Sequence, residues 1–127
     1  MSALSALKEV LSEFNFPAVP GEYSGTEKTF VTYNYADRRV ADHGDDFPGC
    51  WVASVQVHYF TPMWAGGRKL SYTKAMNEIC TALIEAGFIG LNVEPIEEKA
   101  SGSSEKGGDR SADLWHIVFF CEYEEEV

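Results

Sequence analysis

Cys50-Trp-Val-Ala-Ser-Val-Gln-Val-His-Tyr-Phe-Thr61 is the stretch on which the fold turns. One set of alternate positions, Trp51, Ala53, Val55, Val57 and Tyr59, is apolar or aromatic, and the other, Val52, Ser54, Gln56, His58 and Phe60, is mixed. Successive strand side chains point to opposite faces, so this period of two predicts a strand with one dry face and one mixed face. A sheet of such strands is covered by helices on one side only. Its other side is wet or is a contact surface.

The flanking sequence supplies the helices and further strands. Leu4, Leu7, Leu11 and Phe14 recur at three- and four-residue spacing with Val10 beside them, which predicts an N-terminal helix capped by Ser2 and stopped by Pro17 and Pro20. Residues 18–27 read as a turn-rich connector. Thr29-Phe-Val-Thr-Tyr-Asn-Tyr35 is aromatic and β-branched, a strand signal. After the long central strand, residues 62–67 read as a loop with Met63 and Trp64 exposed. A second helix runs from about Ser71, with Tyr72, Ala75, Met76, Ile79, Leu83 and Ala86 on its buried stripe and Gly87 as the residue past its end. Phe88 to Ile96 reads as a strand placed at an edge by Pro95. Ala112 to Tyr123 is apolar on both faces and is expected in the centre of the sheet, followed by an acidic tail, Glu122 to Val127. Residues 36–49 and 97–111 are polar, Gly-containing segments expected to be flexible arms.

The expected fold is therefore one α+β domain over residues 1–127, in the order α-β-β-α-β-β. It is a two-layer sandwich with a four-stranded, mainly antiparallel sheet and two helices on one face.

Composition narrows the function. With 20 acidic and 10 basic residues in 127, the formal net charge is −10, which excludes a binder that relies on clustered Lys and Arg for phosphates or an anionic membrane. Cys50, Cys80 and Cys121 are odd in number and in no paired spacing, which fits a reducing compartment. The N-terminal residues carry no basic stretch before an apolar run, so a soluble, cytoplasmic protein is expected.

No chemistry assembles from the residue pattern. His58 and His116 lie on predicted strands and could be neighbours, yet with Cys50 or Cys121 they match no metal-ligand spacing. Cys80 falls mid-helix and Cys121 late in a strand, the positions of small core residues. Asp37, Asp42, Asp45 and Asp46 lack the alternation of a calcium loop, and Gly66-Gly67-Arg68-Lys69 lacks the ending of a phosphate loop. No catalytic residue, no metal and no cofactor is expected. The aromatic and sulfur side chains on polar connectors, Tyr23, Phe47, Met63 and Trp64, with Asp45 and Asp46 in the acidic loop, are the candidates for protein contacts.

Four stretches together resemble small siphophage or prophage tail-terminator proteins, also described as tail-completion or minor tail proteins. They are Thr29 to Tyr35 with the acidic loop behind it, Trp51 to Thr61, the helix exit Ile84-Glu-Ala-Gly-Phe88, and Leu114-Trp-His-Ile-Val-Phe-Phe120. The likeness spans nearly the whole chain in order. The 97–111 insertion and the loop at 62–67 depart from it. The resemblance implies a non-enzymatic virion protein, made in the host cytoplasm and carried in the tail. It implies a hexameric ring of this chain that halts growth of the tail tube and joins tail to head. Its partners would be itself, the tail tube protein and the head–tail connector protein, with no sequence-specific nucleic acid and no membrane. The competing readings are another head–tail joining or minor tail protein, an acidic DNA-mimic inhibitor, and a small α+β enzyme or ligand-binding domain.

Overall fold

The computed structural model describes residues 2–40, 50–99 and 113–126. Its elements in chain order are α1 (Ala3–Leu11), β1 (Ala18–Pro20), β2 (Phe30–Val40), β3 (Cys50–Pro62), β4 (Trp64–Ala65), β5 (Arg68–Lys69), α2 (Thr73–Glu85), β6 (Ile89–Glu98) and β7 (Leu114–Glu126). The main sheet has the order β1-β2-β3-β7-β6, and β4 pairs only with β5. β1 runs parallel to β2, whereas β2, β3, β7 and β6 are antiparallel neighbours.

The α+β class and the order of the major elements hold, but the four-stranded, mainly antiparallel sheet does not: the sheet is five-stranded and mixed, with a separate two-stranded hairpin. The fifth strand comes from the stretch read as a turn-rich connector. Pro17 and Pro20 end the helical pattern and favour extended backbone, and Val31 N–H donates to Pro17 O at 2.8 Å while Gly21 N–H donates to Tyr33 O at 3.0 Å. A proline is tolerated here because an edge strand has one side with no ladder to feed. The hairpin arises at Gly66 and Gly67, whose φ values of 57° and 78° make the two-residue turn that antiparallel strands favour.

The acidic end is also not a tail. Glu122, Glu124 and Glu125 lie in β7, paired with Ser54, Val52 and Trp51 of β3. β2 continues through Val40 and β6 through Glu98, so the first residues of both expected arms are paired strand. Residues 41–49 and 100–111 of those arms lie outside the described residues.

The core forms where α1 and α2 cover one face of β2, β3 and β7. Leu7 and Leu11 of α1 and Ile79 and Leu83 of α2 meet Val31, Val55, Val57, Ile117 and Phe119, all fully or almost fully buried. Ser2 caps α1 by accepting from Ser5 N–H at 3.1 Å. The Ile84-Glu-Ala-Gly-Phe88 exit of α2 is a paired C-terminal cap: Phe88 N–H donates to Leu83 O and Gly87 N–H to Ile84 O, with Gly87 at φ 99°. Phe88 and Leu83 are both buried, which completes the apolar contact that accompanies such caps.

One carboxylate ties the ends of the chain together. Glu125 is 2% exposed. Its Oε2 accepts Ala3 N–H at 2.6 Å and Tyr35 O–H at 2.7 Å, and its Oε1 accepts Arg38 Nε–H at 2.8 Å. Tyr35 and Arg38 are three apart and would normally point to opposite faces. The register shift between Tyr35 and Asp37 inserts one residue and inverts the alternation, so both reach Glu125. The first turn of α1 adds its unpaired amide and the positive end of its dipole. Burial works to raise the Glu125 pKa, but the donors Ala3, Tyr35 and Arg38, with the Arg38 charge, bring it below the ordinary 4.5.

A folded-state pKa below the unfolded one means this stabilisation is complete above about pH 4.5 and is lost as pH falls through the folded value. Glu125→Ala is expected to lower the unfolding free energy by about 3 kcal/mol, because it strands the Ala3 amide and the Tyr35 hydroxyl. Arg38→Ala should cost less, about 1 kcal/mol, since Arg38 is half exposed and water replaces its contact. Urea denaturation at pH 7 and pH 4 measures both, and Glu125→Gln should flatten the acid-side loss of stability.

Candidate functional site: the uncovered sheet face

The side of the main sheet opposite the helices carries no secondary-structure element of the described chain, so its side chains are the first place to look for function. Register sets them in transverse rows. Phe30 pairs with Phe60, Phe60 with His116, and His116 with Ile96, giving one row across β2, β3, β7 and β6. The next row is Thr32, His58, Val118 and Glu94, and the one after it Asn34, Gln56, Phe120 and Asn92.

The first row is a ladder of stacked rings. Tyr23 stacks on Phe30 at 4.5 Å between centroids, Phe30 on Phe60 at 4.9 Å, and Phe60 on His116 at 4.2 Å. Interplanar angles of 23°, 22° and 20° set the rings face to face. Their faces are therefore occupied by one another and their edges point outward. A platform that stacks nucleobases needs free ring faces, so this row does not provide one. It offers a strip of half-buried aromatic edges instead.

Beside the ladder, four polar side chains form a continuous chain over three strands. His58 Nε2 lies 3.2 Å from Gln56 Oε1, His58 Nδ1 lies 2.7 Å from His116 Nε2, and His116 Nδ1 lies 3.0 Å from Glu98 Oε1. Burial, then the neighbouring His116 charge, lowers the His58 pKa below its ordinary 6.5, and Glu98 opposes this only in part. The two histidines do become neighbours; of the cysteines considered with them, Cys50 stands at the start of β3, eight residues along the strand from His58, and Cys121 is on the other face. Cys121 lies on the helix-covered face among the core residues, and Cys80 lies on α2 against the same core. Burial, then the proximity of Cys80 and Glu122, pushes the Cys121 thiol up to about 12; burial also raises Cys80. A thiol this far from ionising is a poor nucleophile. Among the described residues no group of three or more His, Cys, Asp or Glu side chains could hold a metal ion.

The candidates for protein contacts are dispersed. Tyr23 joins the ladder at its outer end, with its hydroxyl accepting Glu27 N–H at 2.9 Å. Met63 is not the exposed knob expected of a loop residue: it is 0% exposed. The cause is the hairpin, which folds back over the end of the sheet. Met63 N–H donates to Asp113 O and Met63 O accepts Leu70 N–H, pinning Met63 at the joint. Trp64 is half buried and packs against the core, with its indole N–H donating to Asp113 Oδ2 at 3.2 Å. Asp45, Asp46 and Phe47 lie outside the described residues. The residues missed as a group were Phe30, Phe60, His116, Gln56 and Glu98. Alternation alone puts Gln56, His58 and Phe60 on the mixed face of β3, but only register brings Phe30 and His116 into the row beside them.

An open groove of about 390 Å³ lies between α1 and α2, and a second of about 440 Å³ lies between α2 and Glu13 and Phe14, just past the end of α1. Ala6, Val10 and Ala82 floor the first, and Glu9, Glu13 and Glu85 edge it; Glu78 edges the second. Neither groove is lined by a histidine or a cysteine. Among the described residues no helix is long and apolar enough to cross a membrane. No family model and no curated protein sequence matches the chain.

The thiol environments give a direct check. In the folded chain at pH 8, iodoacetamide should leave Cys121 unmodified over hours and Cys80 modified only slowly, with both reacting fully in urea. Peptide mapping by mass spectrometry reads each site. Rapid native labelling of Cys121 would contradict its burial.

Proposed function

We propose that this chain is a structural assembly subunit and not an enzyme. Specifically, we read it as a tail-terminator protein that caps the head-proximal end of a phage tail tube, stops its polymerisation and offers a surface to the head. The observation that supports the assembly reading is the aromatic row on the sheet face that no described helix or strand covers. The helices bury one face, while the other keeps a contiguous strip of aromatic edges with the polar Thr32, His58 and Glu94 in the row beside it. An apolar strip rimmed by polar residues is what a protein partner covers. A ring needs two different patches on each subunit, because its contacts are heterologous. In this reading the uncovered sheet face is one patch and the helical face the other. The tail assignment within that class rests on the resemblance of the four sequence stretches, and localisation follows it: host cytoplasm during assembly, then the virion tail.

A second reading is favoured by one specific feature. Glu9, Glu13, Glu78 and Glu85 border the two grooves, a row of carboxylates without a basic residue among the groove linings. A DNA-mimic inhibitor would use such a row against a nucleic-acid-binding protein.

Negative-stain microscopy of the chain mixed with the tube protein of its own virion separates the two. Capped tubes of uniform length are expected with the native chain, and open tubes of unbounded length with Phe60→Asp or Phe30→Asp. Tubes that grow unchecked with the native chain would sink the terminator reading, as would inhibition of a host nuclease that Glu9→Gln, Glu13→Gln and Glu85→Gln together abolish.

A further inference from the structure

The chain of side chains from Gln56 to Glu98 has a proton inventory that limits what it can do. Two neutral imidazoles bring two ring hydrogens. Three contacts must be filled, and with Glu98 as a carboxylate and Gln56 Oε1 facing His58, every one of them needs a hydrogen from a ring. That makes three hydrogens, one more than two neutral rings carry. The three contacts are therefore filled in either of two ways: by the pair with one shared extra proton and Gln56 Oε1 accepting, or by two neutral rings with the Gln56 amide turned to donate. Removing that proton leaves His58 Nε2 as an acceptor, which requires Gln56 to turn its amide and donate from Nε2. Adding a second proton gives four N–H groups, so His58 Nδ1 and His116 Nε2 would face each other as two donors at 2.7 Å. That contact cannot persist.

The geometry points to a proton-operated latch on the uncovered face: the link between His58 and His116 holds with at most one extra proton on the pair, and a second proton opens it and frees Phe60. Phe60 is the ring coupled to the event, since it stacks on His116 at 4.2 Å and lies 6.4 Å from His58. It passes any movement to Phe30 and Tyr23 through the ladder.

The surroundings favour one proton and oppose two. From β6, Glu98 touches the pair and Glu94 lies one row away, opposite Val118. From β7, Glu122 is further along and engaged by Arg39 of β2 at 2.9 Å. β2 otherwise presents the uncharged Thr32 and Asn34 to β3, and β3 itself contributes the neutral Gln56. One carboxylate in contact offsets one positive charge. The His116 side chain is only 14% exposed, so a second charge is neither paired nor well hydrated. The latch is intramolecular and does not depend on the assembly reading, although any partner seated on the aromatic row would meet a changed surface when it opens.

The test is a titration of the full, ¹⁵N-labelled chain from pH 8 to pH 5. Long-range ¹H–¹⁵N spectra follow the ring nitrogens of His58 and His116, and ring proton shifts follow Phe60. Two proton-binding steps are expected, separated by at least about one pH unit, or about tenfold in proton affinity. The first should shift His58 Nδ1 and His116 Nε2 together and turn the Gln56 amide; the second should move Phe60. In His58→Leu, His116 should titrate in a single step with Phe60 stationary. The latch is overturned if His116 titrates in one full step with the same midpoint in the native chain and in His58→Leu, or if Phe60 ignores both steps.

Discussion

The fold depends on a carboxylate that has no counterpart in the hydrophobic pattern. Glu125 stands on the helix-covered face at the far end of β7, where an apolar residue would be expected. It reaches the first amide of α1, the Tyr35 hydroxyl and the Arg38 guanidinium at once. An ionised carboxylate taken from water is costly unless its oxygens are filled, and here three donors fill them. The requirement runs outward from that point. α1 must begin at Ala3 to present its amide. β2 must carry its extra residue at Ala36 so that Arg38 turns inward. β7 must stay in register with β3 up to Trp51 opposite Glu125. The N-terminal helix and the C-terminal strand are thereby fixed to each other, and the helical layer is set over one face of the sheet.

Fixing both helices on one side leaves the opposite face to find its own solution. It does so without a third layer among the described residues. Aromatic rings stack on one another along Tyr23, Phe30, Phe60 and His116, each ring shielding its neighbour's face from water. Stacked pairs of this kind contribute about 0.5–1.5 kcal/mol each beyond the area they bury. The polar groups beside them are satisfied sideways, through Gln56, His58, His116 and Glu98, and no buried side-chain polar atom among the described residues lacks a partner. The face is stable in water yet still offers apolar edges, and that combination suits a surface covered in some states and bare in others.

Much of this was legible from the residues, for reasons that can be named. β3 and both helices announce themselves by period, because burial on one face writes a period of two or of 3.6 into the chain. Gly87 marked the end of α2 because only a residue free to take positive φ suits that cap. The misses share a different cause. Ala18 to Pro20 carries turn-forming residues and becomes a strand only because β2 lends it partners. Met63 looks exposed beside Pro62 until the Gly66-Gly67 turn folds the hairpin back. Glu122 to Glu126 reads as a solvated tail until pairing with β3 and the reach of Arg38 draw Glu125 inside. Each depends on a contact distant in sequence, and local pattern does not encode such contacts. The row Phe30, Phe60, His116 lies in the same category: alternation assigns Phe60 to the mixed face of β3, but the strand of His116 is apolar on both faces and the row exists only once register is set.

The same distinction bears on what kind of molecule this is. A reactive centre gathers a nucleophile, a base and a stabilising group into one shielded place. Here the titratable and nucleophilic groups are segregated. Among the described side chains, the Cys80 and Cys121 thiols lie on the covered side and are pushed away from ionisation, while His58 and His116 lie on the opposite face and hydrogen-bond to each other, an amide and a carboxylate. The sheet stands between those two thiols and the imidazole pair. What the fold does concentrate is surface of two characters: a strip of aromatic edges on one side, and carboxylates around shallow grooves on the other. Opposite faces of different chemistry let one chain meet two different neighbours, the geometric condition for a closed ring or a joint between two larger bodies. The physical case for an assembly role therefore rests on the separation of these groups as much as on the aromatic row itself.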